Sequence, residues 1–248
     1  MLHLVQNLRT PLRRSVHSSR SISSISTIGA ALDHAVQTLP HREALRAFSN
    51  AGRDSDLRWS YVEFQQYVNE LANGFVELQL KKGDVLALWL PNNAEHIVAQ
   101  YAAAKAGITI ASIDSSISTP EELAFVLQDS QSSALLFEPK VNQVNQGNVV
   151  QQLLANEKDN KSSKLHSVIT TAIDPQPGLF QFRHILVDSP EIHVMKQRQA
   201  GINADTPAIT SYHGKKSYLL ILSYFVFCIL YFVFCILYFV FCLYLHRD

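Results

Sequence analysis

WSYVEFQQYVNELANGFVELQLKKGDVLALWLPNNAEHIVAQYAAAKAGITIASIDSSISTPEELAFVLQDSQSSALLF, residues 59–137, alternates capped amphipathic helices with short apolar runs. Ser60 and Glu63 have the S-x-x-E spacing of a capping box, in which each side chain satisfies a free backbone N–H at a helix start. Phe64, Val68, Leu71, Phe75 and Leu78 then recur at steps of four and three, which draws one stripe along a helix. Lys81, Lys82 and Gly83 are expected to close it, with cations near the negative helix end and a glycine free to take positive φ. Val85–Leu90 is apolar at every residue, the pattern of a strand covered on both faces. Pro91-Asn92-Asn93 interrupts it and offers an N-cap for a helix through Ile97, Val98, Tyr101 and Ala102. Gly107 ends that helix, and Ile108–Ile113 reads as the next strand.

Thr119-Pro120-Glu121-Glu122 is a third helix start, with Thr as N-cap, Pro at the first helical position and acids in the first turn. Leu123, Val126 and Leu127 supply its buried face, and Ala134–Phe137 is a third strand. Connections this short between strand, helix and strand imply parallel pairing by right-handed crossovers. The fold class is therefore α/β, with parallel βαβ layers. Periodicity alone says nothing of chemistry.

The motifs W-S-Y-x-E-F (59–64), V-N-x-L-A-N-G-F (68–75), L-K-K-G-D-V (80–85), L-P-N-N (90–93), K-A-G-I (105–108) and T-P-E-E-L-A-F-V-L (119–127) stand in the order found in adenylate-forming acyl-CoA synthetases. The stretch resembles the N-terminal part of that superfamily's first domain, with the medium-chain fatty acyl and aryl-CoA ligase branch nearest. Leu39–Ala44 resembles the approach to the family's first strand, and Phe182–Val187 the strand before its phosphate loop, so the likeness covers residues 28–210. It implies a two-step reaction. A carboxylate, on a fatty or aryl acid, attacks the α-phosphate of ATP to give an acyl-adenylate, and coenzyme A then displaces AMP. Magnesium would shield the phosphates, and catalysis would rest on positioning and charge stabilisation.

The residues that carry this chemistry in the family are expected further on: a Thr/Ser/Gly-rich phosphate loop ending in Pro-Lys, a Glu-bearing metal motif, a ribose-binding Asp, and a mobile C-terminal domain with a catalytic Lys. Here Asp205–Ile209 resembles the strand leading into the loop. Thr210-Ser211-Tyr212-His213-Gly214-Lys215-Lys216 follows, without the Thr-Thr-Gly core or the Pro-Lys ending. Gly214-Lys215-Lys216-Ser217 has the ending of a Walker loop, but Ile209 stands where its first glycine belongs. No residue is assigned a catalytic or metal role, and no cofactor-binding residue is identified. ATP, magnesium and coenzyme A are expected to bind this chain poorly. Residues 28–210 alone are expected to be poorly soluble, because the resemblance implies later elements that cover one sheet face and an edge.

From Leu219 to Leu245 only Ser223 is polar, and Tyr-Phe-Val-Phe-Cys-Ile-Leu repeats from Tyr224 onward. Helical if ordered, this all-apolar segment is long enough to span a membrane, since about 20 apolar residues cross roughly 30 Å of hydrocarbon. Lys215, Lys216 and Arg247 flank it on both sides and leave its orientation open. The heptapeptide also back-translates to a seven-base unit written three times, the form of an AT-rich satellite read as protein. Cys228, Cys235 and Cys242 all lie in the repeat, which accounts for their spacing without a thiol function. The rest of the chain has no cysteine, hence no disulfide framework.

Residues 1–27 contain Arg9, Arg13, Arg14 and Arg20, seven serines and no acid, the composition of a mitochondrial transit peptide. Its removal would leave a mildly acidic chain, which disfavours a nucleic-acid role. Residues 139–165 are rich in Asn, Gln, Lys and Ser and read as a surface loop with a short helix near Val149–Leu154. Asn160-Lys161-Ser162 within it is a glycosylation sequon, idle in a mitochondrial protein. Val168–Thr171 and His184–Val187 read as strands. The family resemblance implies that Asp84 closes a structural turn; Asp114 follows a strand, and Gly74 inside the first helix reads as a close-packing position. None of the ten histidines has metal-ligand spacing. The reading that gathers these observations is part of a mitochondrial acyl-CoA ligase, inactive as this chain, in the matrix or at a membrane. A non-enzymatic membrane-anchored protein and a product without function stand beside it.

Overall fold

Glu63 N–H donates to Ser60 Oγ at 3.4 Å and Ser60 N–H to Glu63 Oε2 at 2.8 Å, so the reciprocal cap forms as its spacing requires. The computed structural model describes residues 27–47, 57–157, 164–188, 192–213 and 216–218. Along these the chain runs α1 (Ile28–Thr38), β1 (Glu43–Ala47), β2 (Leu57–Ser60), α2 (Tyr61–Glu77), β3 (Val85–Trp89), α3 (Ala94–Ala106) and β4 (Thr109–Ile113). It continues through α4 (Pro120–Asp129), β5 (Ala134–Phe137), α5 (Gln146–Glu157), β6 (Ser167–Thr170) and β7 (Phe180–Gln181). α6 (Ile192–Ala200), β8 (Ile209–His213) and β9 (Lys216–Tyr218) complete it.

The main sheet has the order β7-β6-β5-β3-β4-β8-β9. All its pairings are parallel except β8–β9. Because side chains alternate along a strand, the sheet sorts its residues into two cores. Leu86, Leu88, Ile110, Ala134, Leu136 and Ile169 face the layer of α2 and α3, where Phe64, Val68, Leu71 and Phe75 pack. Ala87, Trp89, Ala111, Ile113, Leu135 and Phe137 face α4 and α5. Burial of each such Leu or Phe contributes about 1.5–3 kcal/mol relative to exposure, which outweighs helix propensity as the force holding the layers. β1 and β2 form a separate antiparallel pair beside α2.

Several expectations are corrected. α2 ends at Glu77, and Gln79, at φ 62°, takes the left-handed conformation expected of Gly83. Gly83 (φ 89°) lies instead in the turn before β3, where Lys81 N–H donates to Asp84 Oδ2 at 2.6 Å. Asp84 thus closes a turn, as read. Phe182–Val187 is not a strand: Phe182–His184 is a 3₁₀ turn after the two-residue β7. The segment is claimed by α2, since Val187 N–H donates to Glu70 O at 3.1 Å and Asn73 Nδ2 to Val187 O at 3.3 Å. The polar stretch 139–165 contains a full crossover helix, α5, whose Val149, Val150 and Leu153 are buried. Both faces of the central strands are covered by helices of this chain, so the uncovered face expected from the family resemblance is not present.

Residues 1–26 of the expected transit segment, the sequon and the 219–245 repeat with its three cysteines lie outside the described residues. Among the described residues, no helix is long and apolar enough to cross a membrane.

Candidate site at the carboxyl edge of the sheet

β3 continues through α3 to β4 on one side, whereas β5 continues through α5 to β6 on the other. The chain therefore leaves β3 and its neighbour β5 in opposite directions, and an open α/β sheet has its natural crevice at such a point, beyond the strand carboxyl ends. A cleft of about 470 Å³ lies there. Asn92, His96, Ser112, Asp114, Asn142 and Ser211 supply polar groups to its wall, and Pro91, Val141 and Tyr212 supply apolar surface.

Each wall is held by a local device. Pro91 cannot donate a ladder hydrogen bond, which ends β3. Asn93 then caps α3: its Oδ1 accepts from His96 N–H at 2.9 Å, while its Nδ2 donates to Glu138 Oε2 at 3.0 Å. One side chain thus ties the helix start to the end of β5. His96 Nδ1 lies 3.2 Å from Leu90 O and 3.1 Å from Pro91 O. Carbonyls only accept, so Nδ1 carries the proton, and Nε2 accepts from Gln100 Nε2 at 2.9 Å. Burial lowers the His96 pKa from its ordinary 6.5, against the opposing pull of the two carbonyls, and the ring is neutral at pH 7. Glu138 is shifted the other way, raised from 4.5 first by burial and then by the charge of Glu95.

Gln146, at the start of α5, is almost wholly buried. With its amide oriented to satisfy its neighbours, nitrogen donates to Trp89 O (3.1 Å) and Glu138 O (2.8 Å), and oxygen accepts from Trp89 Nε1 at 3.1 Å. On the far wall Tyr212 pairs with Ile113 across the β4–β8 ladder, and its hydroxyl donates to Asp129 Oδ2 at 2.9 Å. Burial, reinforced by Asp129, pushes the phenol up to about 12, so it stays a donor. Asp114 Oδ1 accepts from Ser116 N–H at 2.8 Å, which shapes the loop after β4.

Lys105 of the K-A-G-I motif lies away from the cleft and is buried. Its Nζ is 2.6 Å from Asp33 Oδ1 and 2.9 Å from Asn69 Oδ1, which joins α1, α2 and α3. Among the described residues, no group of three or more His, Cys, Asp or Glu could hold a metal ion.

The region expected to bear the phosphate loop is the β8–β9 connection. His213 pairs with Lys216, and Gly214 and Lys215 between them lie outside the described residues. The sequence pattern points to this loop and to both aspartates, but not to His96, Glu138 and Gln146. Nothing in their spacing joins them, since the sheet topology makes the meeting.

The AMP-binding enzyme family matches residues 32–213. The chain belongs to this family. It is 32% identical over 177 residues to a mitochondrial medium-chain acyl-CoA ligase ACSF2 of Danio rerio, covering 68% of this chain and 28% of that protein. The Homo sapiens protein of the same name is 30% identical over 159 residues, covering 61% and 25%. A putative acyl-CoA synthetase YngI of Bacillus subtilis is 26% identical over 142 residues, covering 57% and 25%. The chain therefore spans about a quarter of the length of these relatives. The solved acetoacetyl-CoA synthetase from Streptomyces lividans superposes with a TM-score of 0.60 at 17% identity, over 75% of this chain and 28% of that one. That likeness supports the fold: the AMP-binding family's α/β sheet is the sheet described above.

Proposed function

We propose that this chain carries the amino-terminal sheet of a mitochondrial medium-chain acyl-CoA ligase and that, as a 248-residue polypeptide, it does not adenylate carboxylic acids. The ligase reading draws on the family match and on the relatives' names. The mitochondrial reading draws on those names and on the arginine- and serine-rich, acid-free residues 1–27. A medium-chain carboxylic acid would be the substrate of the complete ligase.

One observation carries the second half of the proposal. Adenylation breaks the bond between the α- and β-phosphates of ATP as a carboxylate oxygen bonds to the α-phosphorus. Pyrophosphate then leaves with its charge held by a run of backbone N–H groups and cations. Thr210–Lys216, where the resemblance expects that run, lacks both the Thr-Thr-Gly core and the Pro-Lys ending. Among the described residues Asp114 is the carboxylate of the cleft wall, and one of its oxygens accepts from Ser116, a donor set that does not fit magnesium. No step is assigned through ATP, magnesium or coenzyme A on this chain.

The test is carboxylate-dependent exchange of labelled pyrophosphate into ATP by the purified 248-residue chain, with octanoate as the acid. Exchange at the level of a no-protein control is the expected result. Octanoate-dependent exchange that tracks the protein through purification would overturn the proposal.

A further inference from the structure

We propose that the groove between α2 and α6 is a binding site for a guanidinium group, the head of an arginine side chain. Phe64, Val68, Leu71 and Phe75 turn one stripe of α2 to the core, and Gln65, Gln66, Asn69, Glu70 and Asn73 lie at helical spacing on the opposite stripe. With Asp188 and residues of α6, that stripe walls a groove of about 440 Å³, within the roughly 300–1,000 Å³ of small-molecule sites. Bonds inside the protein fix which end of each amide the groove receives. Gln65 Nε2 donates to Asp33 Oδ1 at 2.7 Å, Gln66 Nε2 to Glu70 Oε1 at 2.9 Å, and Asn73 Nδ2 to Val187 O at 3.3 Å. Each of these amides therefore keeps its oxygen as an open acceptor. The second Glu70 oxygen and the Asp188 carboxylate add to them. Asn69 is reversed: its Oδ1 accepts from Lys105 Nζ at 2.9 Å, which leaves its Nδ2 as a donor. Acceptors thus predominate along the groove. A guanidinium matches them, with five N–H donors in a planar fork and no acceptor, whereas an ammonium offers three from one point.

Charge agrees. Lys105, buried in the groove wall, is met by Asp33 at 2.6 Å, so Glu70 and Asp188 against Lys196 leave the lining net negative. A phosphate or carboxylate ligand would meet both carboxylates and be repelled. Val62 and Met195 add apolar surface for an aliphatic stem. The group can come from a free guanidine or from one of Arg9, Arg13, Arg14 and Arg20, which precede α1. α1 begins beside the groove, since a Cβ on Gly29 would lie 3.8 Å from Gln199 Nε2 of the lining. Each intervening residue can span up to about 3.3–3.6 Å, which puts Arg20 within reach. The groove shares no lining residue with the carboxyl-edge cleft, and its test needs no ligase chemistry.

Equilibrium dialysis of the 248-residue chain in mild detergent, with labelled butylguanidine and butylamine, tests this. Butylguanidine is expected to bind about tenfold more tightly than butylamine, whose single nitrogen cannot bridge several acceptors. Asp188→Asn is expected to weaken butylguanidine about tenfold. Glu70→Gln, which keeps an acceptor for Gln66, is expected to weaken it severalfold. Lys196→Gln removes a repelling charge and is expected to strengthen it severalfold. A fourth variant changes Arg9, Arg13, Arg14 and Arg20 together to glutamine. A rise there for butylguanidine that butylamine does not share would make the protein's own arginine the occupant; no such rise would make it a free guanidine; both outcomes support the site. No butylguanidine binding by the parent or the four-arginine variant, equal binding of butylguanidine and butylamine, or indifference to all three groove substitutions would each overturn the proposal.

Discussion

Gly74 illustrates how one position can reverse a general rule. An internal helix glycine ordinarily costs about 1 kcal/mol relative to alanine, so Gly→Ala usually stabilises. A Cβ at Gly74, however, would lie 1.7 Å from the carbonyl oxygen of Ile185 and 2.9 Å from its carbon. Backbone has to move to admit it, and Gly74→Ala is expected to destabilise by about 1–3 kcal/mol or more. A urea midpoint at or above that of the parent would contradict the packing. His96 and Glu138 make a second residue-scale case, with opposite signs. The folded His96 pKa lies below 6.5, so its contribution to stability is complete above pH 6.5 and lost as pH falls through the folded value. The folded Glu138 pKa lies above 4.5, so its contribution is present below pH 4.5 and lost as pH rises through the folded value. His96→Gln is expected to remove the acid-side loss below pH 6.5, and Glu138→Gln to remove the alkaline-side loss above pH 4.5. Denaturation midpoints followed from pH 4 to 8 separate the two; unchanged profiles in both variants would mean that neither group is perturbed.

Among the elements, those defined by local chemistry were legible and those defined by distant partners were not. Ser60, Asn93 and Thr119 cap their helices as their spacing indicates, and Gly107 ends α3 at φ 71°. Val85–Trp89 and Ala134–Phe137 read as covered strands because every residue is apolar, and both lie between helical layers. α5 was underestimated because its sequence is mostly polar, with Val149, Val150 and Leu153 as its buried positions. The segment after β7 was misread because its apolar Ile185 and Leu186 serve a turn packed on α2. The cleft was the least legible feature, since Asn93 and Glu138 meet only through the pairing of β3 with β5. Gln146 is the test of that junction. Gln146→Ala would leave the Trp89 indole N–H and two carbonyls without their side-chain partner in a buried setting. A loss of about 1–3 kcal/mol is expected, with a shift in Trp89 fluorescence. Unchanged stability and emission would show that the amide does not clamp the two strands.

At the scale of the whole molecule, cover is unequal across the sheet. β3, β4 and β5 are flanked by strands on both sides and carry the most deeply buried side chains, including Leu86, Leu88, Ile110 and Leu135. β7 is two residues long, ends the sheet, and leaves Phe180 44% exposed. At the opposite end β9 pairs on one side, with β8, among the described residues. Local opening costs least where few apolar contacts close over the backbone hydrogen bonds, so protection should fall from the centre toward both edges. Hydrogen exchange of the 248-residue chain is therefore expected to leave β3, β4 and β5 amides slowest, β6 and β8 intermediate, and β7 and β9 fastest. The cleft is built on the slow strands and bordered by β8, so its Asn93–Glu138 and Gln146 ties should exchange with the centre rather than with the edge. Uniform exchange across all strands would mean that the layers open together as one unit. Fast exchange at β3 and β5 would remove the rigid base on which the family fold depends.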